Sequence, residues 1–318
     1  MTQDIWILDR FDADWEDLML QDALRARGLS VEIVDWSTLT PCGNDGGFCS
    51  KGERIRPPAL ALVRSRVLTR HTEGDLALLY DWLSLLEDMG IRLVNSLESI
   101  RHCQNKVRQA ATLAKAGIPV PETTAIRTLG DLEHCLRFWG DVVIKPIYGH
   151  ASIDLARLRA DGDGSGNGSV LGIREEIVAW HLLEHYRILC AQRFIPNPGR
   201  DLRLVVIHNT IVSCHYRIST APDKSIKSLL HPYQRVQVQL TPPIERLALR
   251  AVTALKLDLA TIDLVEAEEG PIIIEVNPTV SVWRPLERTT MDFTQSGITE
   301  FHADALIAFL NRNKEETK

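Results

Sequence analysis

The stretch A-T-I-D-L-V-E-A-E-E-G-P-I-I-I-E-V-N-P, residues 260–278, holds two apolar runs separated by an acidic turn with one glycine. Such a pattern is a β-hairpin. Successive strand side chains point to opposite faces, so Glu275 and Asn277 share a face while Val276 turns away. An antiparallel partner brings Asp263 beside them. Two carboxylates and an amide oxygen suit a hard cation such as Mg²⁺ and not zinc. A strand that merely runs out into water also ends in polar residues, so the meaning of this stretch depends on the rest of the chain.

At 318 residues and 45% hydrophobic, the chain can bury a large core and should hold two or three subdomains. A formal charge of −6 supplies no global basic field, which argues against nucleic acid as a partner. Six cysteines, at 42, 49, 103, 135, 190 and 214, show no CxxC pair and no zinc spacing, and read most simply as reduced thiols. The start M-T-Q-D-I-W-I-L-D-R is acidic and enters a strand at once, unlike a secretory signal. No window approaches a membrane span. A cytoplasmic location is expected.

Upstream, strands are expected at 5–8, 31–34, 59–63 and 92–94, and helices at 15–27, stopped by Gly28, and 75–88. This is a βαβ opening. Residues 41–54, P-C-G-N-D-G-G-F-C-S-K-G-E-R, read as a polar glycine-rich loop. A helix over 104–117 leads to a smaller α/β unit with helices at 130–138 and 174–184 and strands at 142–145, 153–158 and 187–192. Paired strands at 203–207 and 211–217, a helix at 244–256, the hairpin and a closing helix from 301 complete the chain. The loop D-G-D-G-S-G-N-G at 161–168 has neither the spacing of a dinucleotide fingerprint nor the acidic twelfth position of a calcium loop.

Lys145, ending the strand V-V-I-K, and Lys106, in Q-N-K-V, are each read singly as solvated lysines. Together with Arg217 and the acid trio, they are the parts needed to hold a nucleoside triphosphate and Mg²⁺, since phosphoryl transfer is largely positioning and charge neutralisation. The sequence lacks G-x-x-x-x-G-K-[ST], so the P-loop solution does not apply. The charged segment Arg64, Arg66, Arg70 and His71 reads equally as an anionic-substrate surface or as a solvated loop.

The ordered series C-Q-N-K-V-R, L-A-K-A-G-I-P-V-P-E-T, V-V-I-K-P, A-Q-R-F-I-P, G-R-D-L-R-L-V-V-I, Y-R-I-S, T-I-D-L and I-I-I-E-V-N-P resembles the ATP-grasp superfamily, and within it the RimK-like carboxylate–amine (glutamate) ligases. The resemblance runs from about residue 90 to the C-terminus. It implies an α/β (α+β) fold with an N-terminal βαβ pre-ATP-grasp domain over 1–95. Two α+β subdomains, over 96–190 and 191–318, would clamp ATP. Lys106, Lys145 and Lys227 would contact phosphates, the backbone of Gln192, Arg193, Phe194 and Ile195 would read adenine, and Asp201 would contact the nucleotide. Arg203 and Arg217 would be the catalytic cations. Asp263, Glu275 and Asn277 would ligate two Mg²⁺ ions, with Mn²⁺ an alternative.

The implied reaction activates a carboxylate as an acyl phosphate and joins it to an amine. Its partners would be a small-molecule or peptide carboxylate, such as a pterin- or deazaflavin-type coenzyme, and an amino-acid amine such as glutamate. A homo-oligomer is also implied. The sequence departs from the family at Y-G-H-A-S-I-D-L, where Gly149 is the only glycine of the flap and His150 follows it, at Arg193 in place of a hinge glutamate, and at Leu229 in place of an asparagine after Lys227 and Ser228. These departures leave open a second reading, a degenerate ATP-grasp nucleotide-binding protein with a regulatory or scaffolding role. On either reading, Glu275 is expected to add little to stability without its metal.

Overall fold

The computed structural model describes residues 3–10, 14–42, 47–68, 73–149, 153–160, 170–219, 233–280 and 295–316. The calls on Arg70, His71, His150, Lys227, Ser228, Leu229 and the 161–168 loop lie outside these residues, as does the side chain of Arg66.

Four parallel strands make the first sheet, β1 (Gln3–Asp9), β2 (Val31–Asp35), β6 (Pro58–Val63) and β7 (Arg92–Val94), in the order β2-β1-β6-β7. Parallel sheets are covered on both faces, and the apolar strands here obey that rule. Ile5 and Ile7 of β1 join a core with Leu20 and Leu24 of α1 (Trp15–Ala26) and with Leu306 and Phe309 of α8 (Gln295–Glu316). Trp6 and Leu8, on the opposite face, join Leu79, Leu83 and Leu86 of α2 (Glu73–Asp88). Asp14 caps α1 with a reciprocal capping box, and Gly28, at φ +83°, supplies the left-handed residue that ends it.

The expected loop at 41–54 is instead part of a small antiparallel sheet of β3 (Leu39–Cys42), β4 (Gly47–Ser50) and β5 (Glu53–Ile55). It is anchored by Leu39 and Phe48, both buried, with Ile55 packed beside them, and Phe48 lies edge-on against Trp6 and Trp82. Cys42 and Cys49 form a disulfide across it, so these two are not the reduced thiols expected; Cys103, Cys135, Cys190 and Cys214 are free and buried.

The helix expected over 104–117 is α4 (Lys106–Lys115), and a further helix that was not expected, α3 (Leu97–Gln104), precedes it across Asn105. Asn105 has extended backbone, and its side chain caps α4 by accepting from the Arg108 amide. The second sheet, β10-β9-β11-β8, is antiparallel and consists of β8 (Thr123–Ile126), β9 (Asp141–Pro146), β10 (Ala156–Arg159) and β11 (Leu189–Arg193). Ile144 and Ala191 pack against α5 (Leu129–Trp139) and α6 (Ile173–Tyr186), which turns Lys145 and Gln192 to the other face.

Five antiparallel strands form the third sheet in the order β14-β13-β12-β15-β16: β12 (Arg200–Ile207), β13 (Thr210–Ser219), β14 (Tyr233–Gln237), β15 (Leu259–Ala267) and β16 (Gly270–Asn277). Leu202, Leu204, Ile262, Leu264, Ile273 and Val276 pack on α4 and α7 (Pro242–Ala254). The alternate residues therefore face the other way: Val205, Ile207 and Leu259 join the core of the first unit, and Arg203, Thr261, Asp263 and Glu275 form a polar patch. Buried Asn95 joins this sheet to the end of β7. Its amide donates to the Leu259 and Pro278 carbonyls and accepts from the Asp258 and Leu259 N–H groups.

Candidate active site

Strand register assembles the polar face of the third sheet. Asp201 lies opposite Arg217, Arg203 lies opposite both His215 and Asp263, and Asp263 lies opposite Glu275, with Thr261 opposite Asn277. A bulge between Asp263 and Leu264 adjusts the pairing beside the acids. Directly opposed residues share a face. Arg203 grips Asp263 in a two-pronged pair, Nε to Oδ1 and Nη2 to Oδ2, both at 2.7 Å. Arg217 bridges two acids, contacting Asp201 through Nε at 2.9 Å and Nη2 at 2.7 Å, and Asp263 Oδ2 at 2.9 Å.

Two lysines from other elements complete the cluster. Lys106 Nζ lies 2.9 Å from Glu275 Oε1 and donates to the Gly149 carbonyl at 2.6 Å, so one ammonium joins the acid to the segment after β9. At Gly149 a Cβ would come within 3.3 Å of the Pro146 Cβ and 3.4 Å of its carbonyl oxygen, a close fit that favours glycine. Lys145 is buried and donates to Gln192 Oε1 at 3.1 Å, and Gln192 in turn donates to Thr123 Oγ1 at 3.0 Å.

These contacts set the charge states. Burial opposes the ionised form of Glu275, but Lys106 and then Lys145 outweigh it and hold the carboxyl below its ordinary value. For Arg217 burial likewise opposes the charge, and Asp263 and Asp201 more than restore it. His215 is pushed down to about 4 by burial and by Arg235, Arg203 and Arg217, so it is neutral at pH 7. Its Nε2 is buried with no hydrogen-bond partner.

His215, Arg235 and Gln109 were not singled out by the sequence. Gln109 on α4 is buried and clamps the backbone at Val276, between Glu275 and Asn277 of β16. Its Oε1 accepts from the Val276 N–H at 2.9 Å, and its Nε2 donates to the Val276 carbonyl at 2.6 Å and to Cys103 at 3.0 Å. The only sequence signal was a glutamine among the inward positions of an amphipathic helix.

Of the four hinge residues, Arg193 and Phe194 have backbone N–H groups already committed, to the Glu122 and Asp141 carbonyls at 2.9 Å each. The Arg193 side chain pairs with Glu122 at 2.6 Å, and Phe194 stacks on Arg157, itself paired with Asp141.

Arg64 is not a substrate-facing cation. Its guanidinium is buried and pairs with Asp17 and Glu16 at 2.6 Å each, and it donates to the Val280 carbonyl at 3.0 Å. Buried Asp17 carries a carboxyl pushed up to about 6 by burial and a hydrogen bond with Asp9, with Arg64 opposing. Asp9, Asp14 and Asp17 converge within 4.8 Å, but Asp14 is the cap of α1 and Asp17 the partner of Arg64.

Residues 103–296 match the family description RimK-like ATP-grasp domain. The chain belongs to the RimK-like ATP-grasp family. The tetrahydromethanopterin:alpha-L-glutamate ligase of Methanosarcina acetivorans is 30% identical over 268 residues, covering 81% of this chain and 80% of that one. The ribosomal protein bS6–L-glutamate ligase of Salmonella paratyphi B is 27% identical over 295 residues, covering 90% and 91%. Among solved structures, the ATP-grasp ligase PsnB complexed with a minimal precursor overlays with a TM-score of 0.68 at 18% identity, covering 97% of this chain and 99% of that one, and it is also known with Mg and ADP. This RimK-like protein is thus an ATP-grasp enzyme of the C–N ligase class, and the degenerate, non-catalytic alternative is set aside.

Proposed function

We propose that the protein uses ATP and Mg²⁺ to join a small-molecule or peptide carboxylate to an amino-acid amine, with glutamate the amine suggested by the named relatives. The observation that carries this reading is the pairing of Asp263 with Glu275 on adjacent strands, each acid held by basic side chains. Without nucleotide, Arg203, Arg217 and Lys106 are neutralised by Asp263, Asp201 and Glu275. The same groups suit Mg-ATP after an exchange of partners, acids to metal and cations to phosphate oxygens.

The donor set fits Mg²⁺, since Asp263, Glu275 and Asn277 offer only oxygen ligands on one face. Asp263, Glu275 and Asn277 would hold the metal there, and it would supply positive charge against the triphosphate. The carboxylate oxygen of the acceptor attacks the γ-phosphorus and the bond to the β,γ-bridging oxygen breaks, giving an acyl phosphate and ADP. The amine lone pair then attacks the acyl carbon, phosphate leaves, and the nitrogen loses a proton. Arg203, Arg217, Lys106 and Lys145 stabilise the charge that moves in both steps. The clamping subdomains over 96–190 and 191–318 supply these groups, Lys106 and Lys145 from the first and Arg203 and Arg217 from the second, beside an N-terminal unit over 1–95. A cytoplasmic site of action suits an ATP consumer, and among the described residues no helix is long and apolar enough to cross a membrane.

Calorimetric titration tests the reading. ATP is expected to bind clearly with Mg²⁺ and far more weakly in excess chelator. Equal binding with chelator would remove the metal site from the account.

A further inference from the structure

One wall away from Lys106 lies an open pocket of about 270 Å³ lined by Tyr80 of α2, Arg101 of α3, Asn105, Arg108 of α4 and Tyr148. Its chemistry differs from that of the sheet face. On the sheet, Arg203 and Arg217 are both engaged by carboxylates. In the pocket, neither Arg101 nor Arg108 has a carboxylate partner among the described residues, and no acid lines the walls. The Arg101 guanidinium lies 4.9 Å from the centre of the Tyr80 ring, which fixes its plane. The Tyr80 hydroxyl is buried and has no hydrogen-bond partner among the described residues. Leaving a buried hydroxyl unmade is costly, on the order of 1–3 kcal/mol, and points to a missing acceptor. Asn105 Nδ2 donates to the Tyr148 hydroxyl at 3.3 Å, and Tyr148 is half exposed, so this wall is set from across the opening.

The pocket is tied to the cluster by chain continuity. Asn105 precedes Lys106 and Tyr148 precedes Gly149, while Lys106 Nζ and the Gly149 carbonyl are bonded at 2.6 Å. Both of these pocket-lining segments therefore run directly into the Lys106–Gly149 contact beside Glu275.

We propose that this pocket grips a second, non-reacting carboxylate of the acceptor, so that the carboxylate substrate is a dicarboxylate. Arg101 and Arg108 supply the charge, Tyr80 donates its hydroxyl, and the Tyr80 and Tyr148 rings flank the stem. Planar guanidinium groups favour carboxylate over less directional anions. The assignment rests on the ligase reading above and names the substrate class of that site.

A matched pair of probes isolates the second charge: glutarate, and glutaramate, in which one carboxylate is an amide. Both are titrated calorimetrically into the full chain saturated with Mg-ADP. Glutarate should bind at least about tenfold tighter, since a charge-assisted contact of about 1.5 kcal/mol is worth that factor. In Arg101→Gln/Arg108→Gln the preference should fall below about twofold with Mg-ADP affinity unchanged. Tyr80→Phe, which keeps the ring and removes an unpartnered hydroxyl, should weaken glutarate about threefold or more without lowering the melting temperature. Equal affinities in the wild type, no saturable glutarate binding, or a preference that survives in the double variant would overturn the inference. If wild type binds Mg-ADP yet shows no preference, only this inference falls; if Mg-ADP itself does not bind, the ligase reading falls with it.

Discussion

Replacing Asp263 by Asn keeps the side chain's shape and removes the one charge shared by two arginines. Its carboxylate receives three charged contacts at 2.7, 2.7 and 2.9 Å, and its side chain is 11% exposed, against 21% for Arg203 and 12% for Arg217. Breaking a fully buried pair costs about 3–5 kcal/mol, whereas an exposed pair is worth about 0–1 kcal/mol. Asp263 lies nearer the buried limit, but Arg217 keeps Asp201, and losing the charge relieves repulsion with Glu275. The expected loss is therefore about 2–3 kcal/mol. Urea unfolding of D263N, R203M and the double variant gives both the loss and the coupling. The two substitutions should couple by more than about 1 kcal/mol, because each removes the same contact. Additivity within about 0.5 kcal/mol, or a D263N protein as stable as wild type, would refute the view that these charges neutralise each other before nucleotide arrives.

Glu275→Gln should abolish amide formation and also destabilise the nucleotide-free protein by about 1–2 kcal/mol at pH 7, contrary to the expectation from sequence that this acid adds little without metal. Because the folded-state carboxyl is held below its ordinary value, its contribution is present above the unfolded value and is lost as pH falls through the folded one; acid titration of wild type against the variant should show that loss in wild type alone. Gln109→Leu leaves the Val276 N–H and C=O unpaired, and should lower stability by about 2–4 kcal/mol while weakening Mg-ATP binding, both readable by thermal melts and calorimetry.

The hairpin carrying Asp263 and Glu275 was legible because period-2 alternation fixes which residues share a face, and the observed register places those two opposite each other. The β1–α1–β2 opening was legible for a similar reason, with apolar runs and the Gly28 stop as local signals. What sequence missed was mostly non-local. Gln109 meets Val276, 167 positions away, and Asn95 meets Leu259, 164 away, so neither amide carries a nearby cue. Arg64 sits in a run of charge that reads as solvated, yet its partners Glu16 and Asp17 come from α1 and bury it. The β3–β5 sheet was hidden by composition, since glycine, proline and polar residues separate its few apolar anchors, Leu39, Phe48 and Ile55. Helix α3 was missed because its 8 residues, L-E-S-I-R-H-C-Q, span barely two turns of apolar periodicity before Asn105 caps α4.

The most direct test of the central claim follows oxygen from substrate to phosphate. The protein is incubated with Mg-ATP, a pool of carboxylates labelled with ¹⁸O and a pool of amino acids, and the released phosphate is analysed by mass. Attack of a carboxylate oxygen on the γ-phosphorus leaves that oxygen in phosphate once the amine displaces it. One ¹⁸O per phosphate, with ADP release requiring both pools, is the expected result. Unlabelled phosphate, or ADP release indifferent to the carboxylates, would contradict ligation through an acyl phosphate.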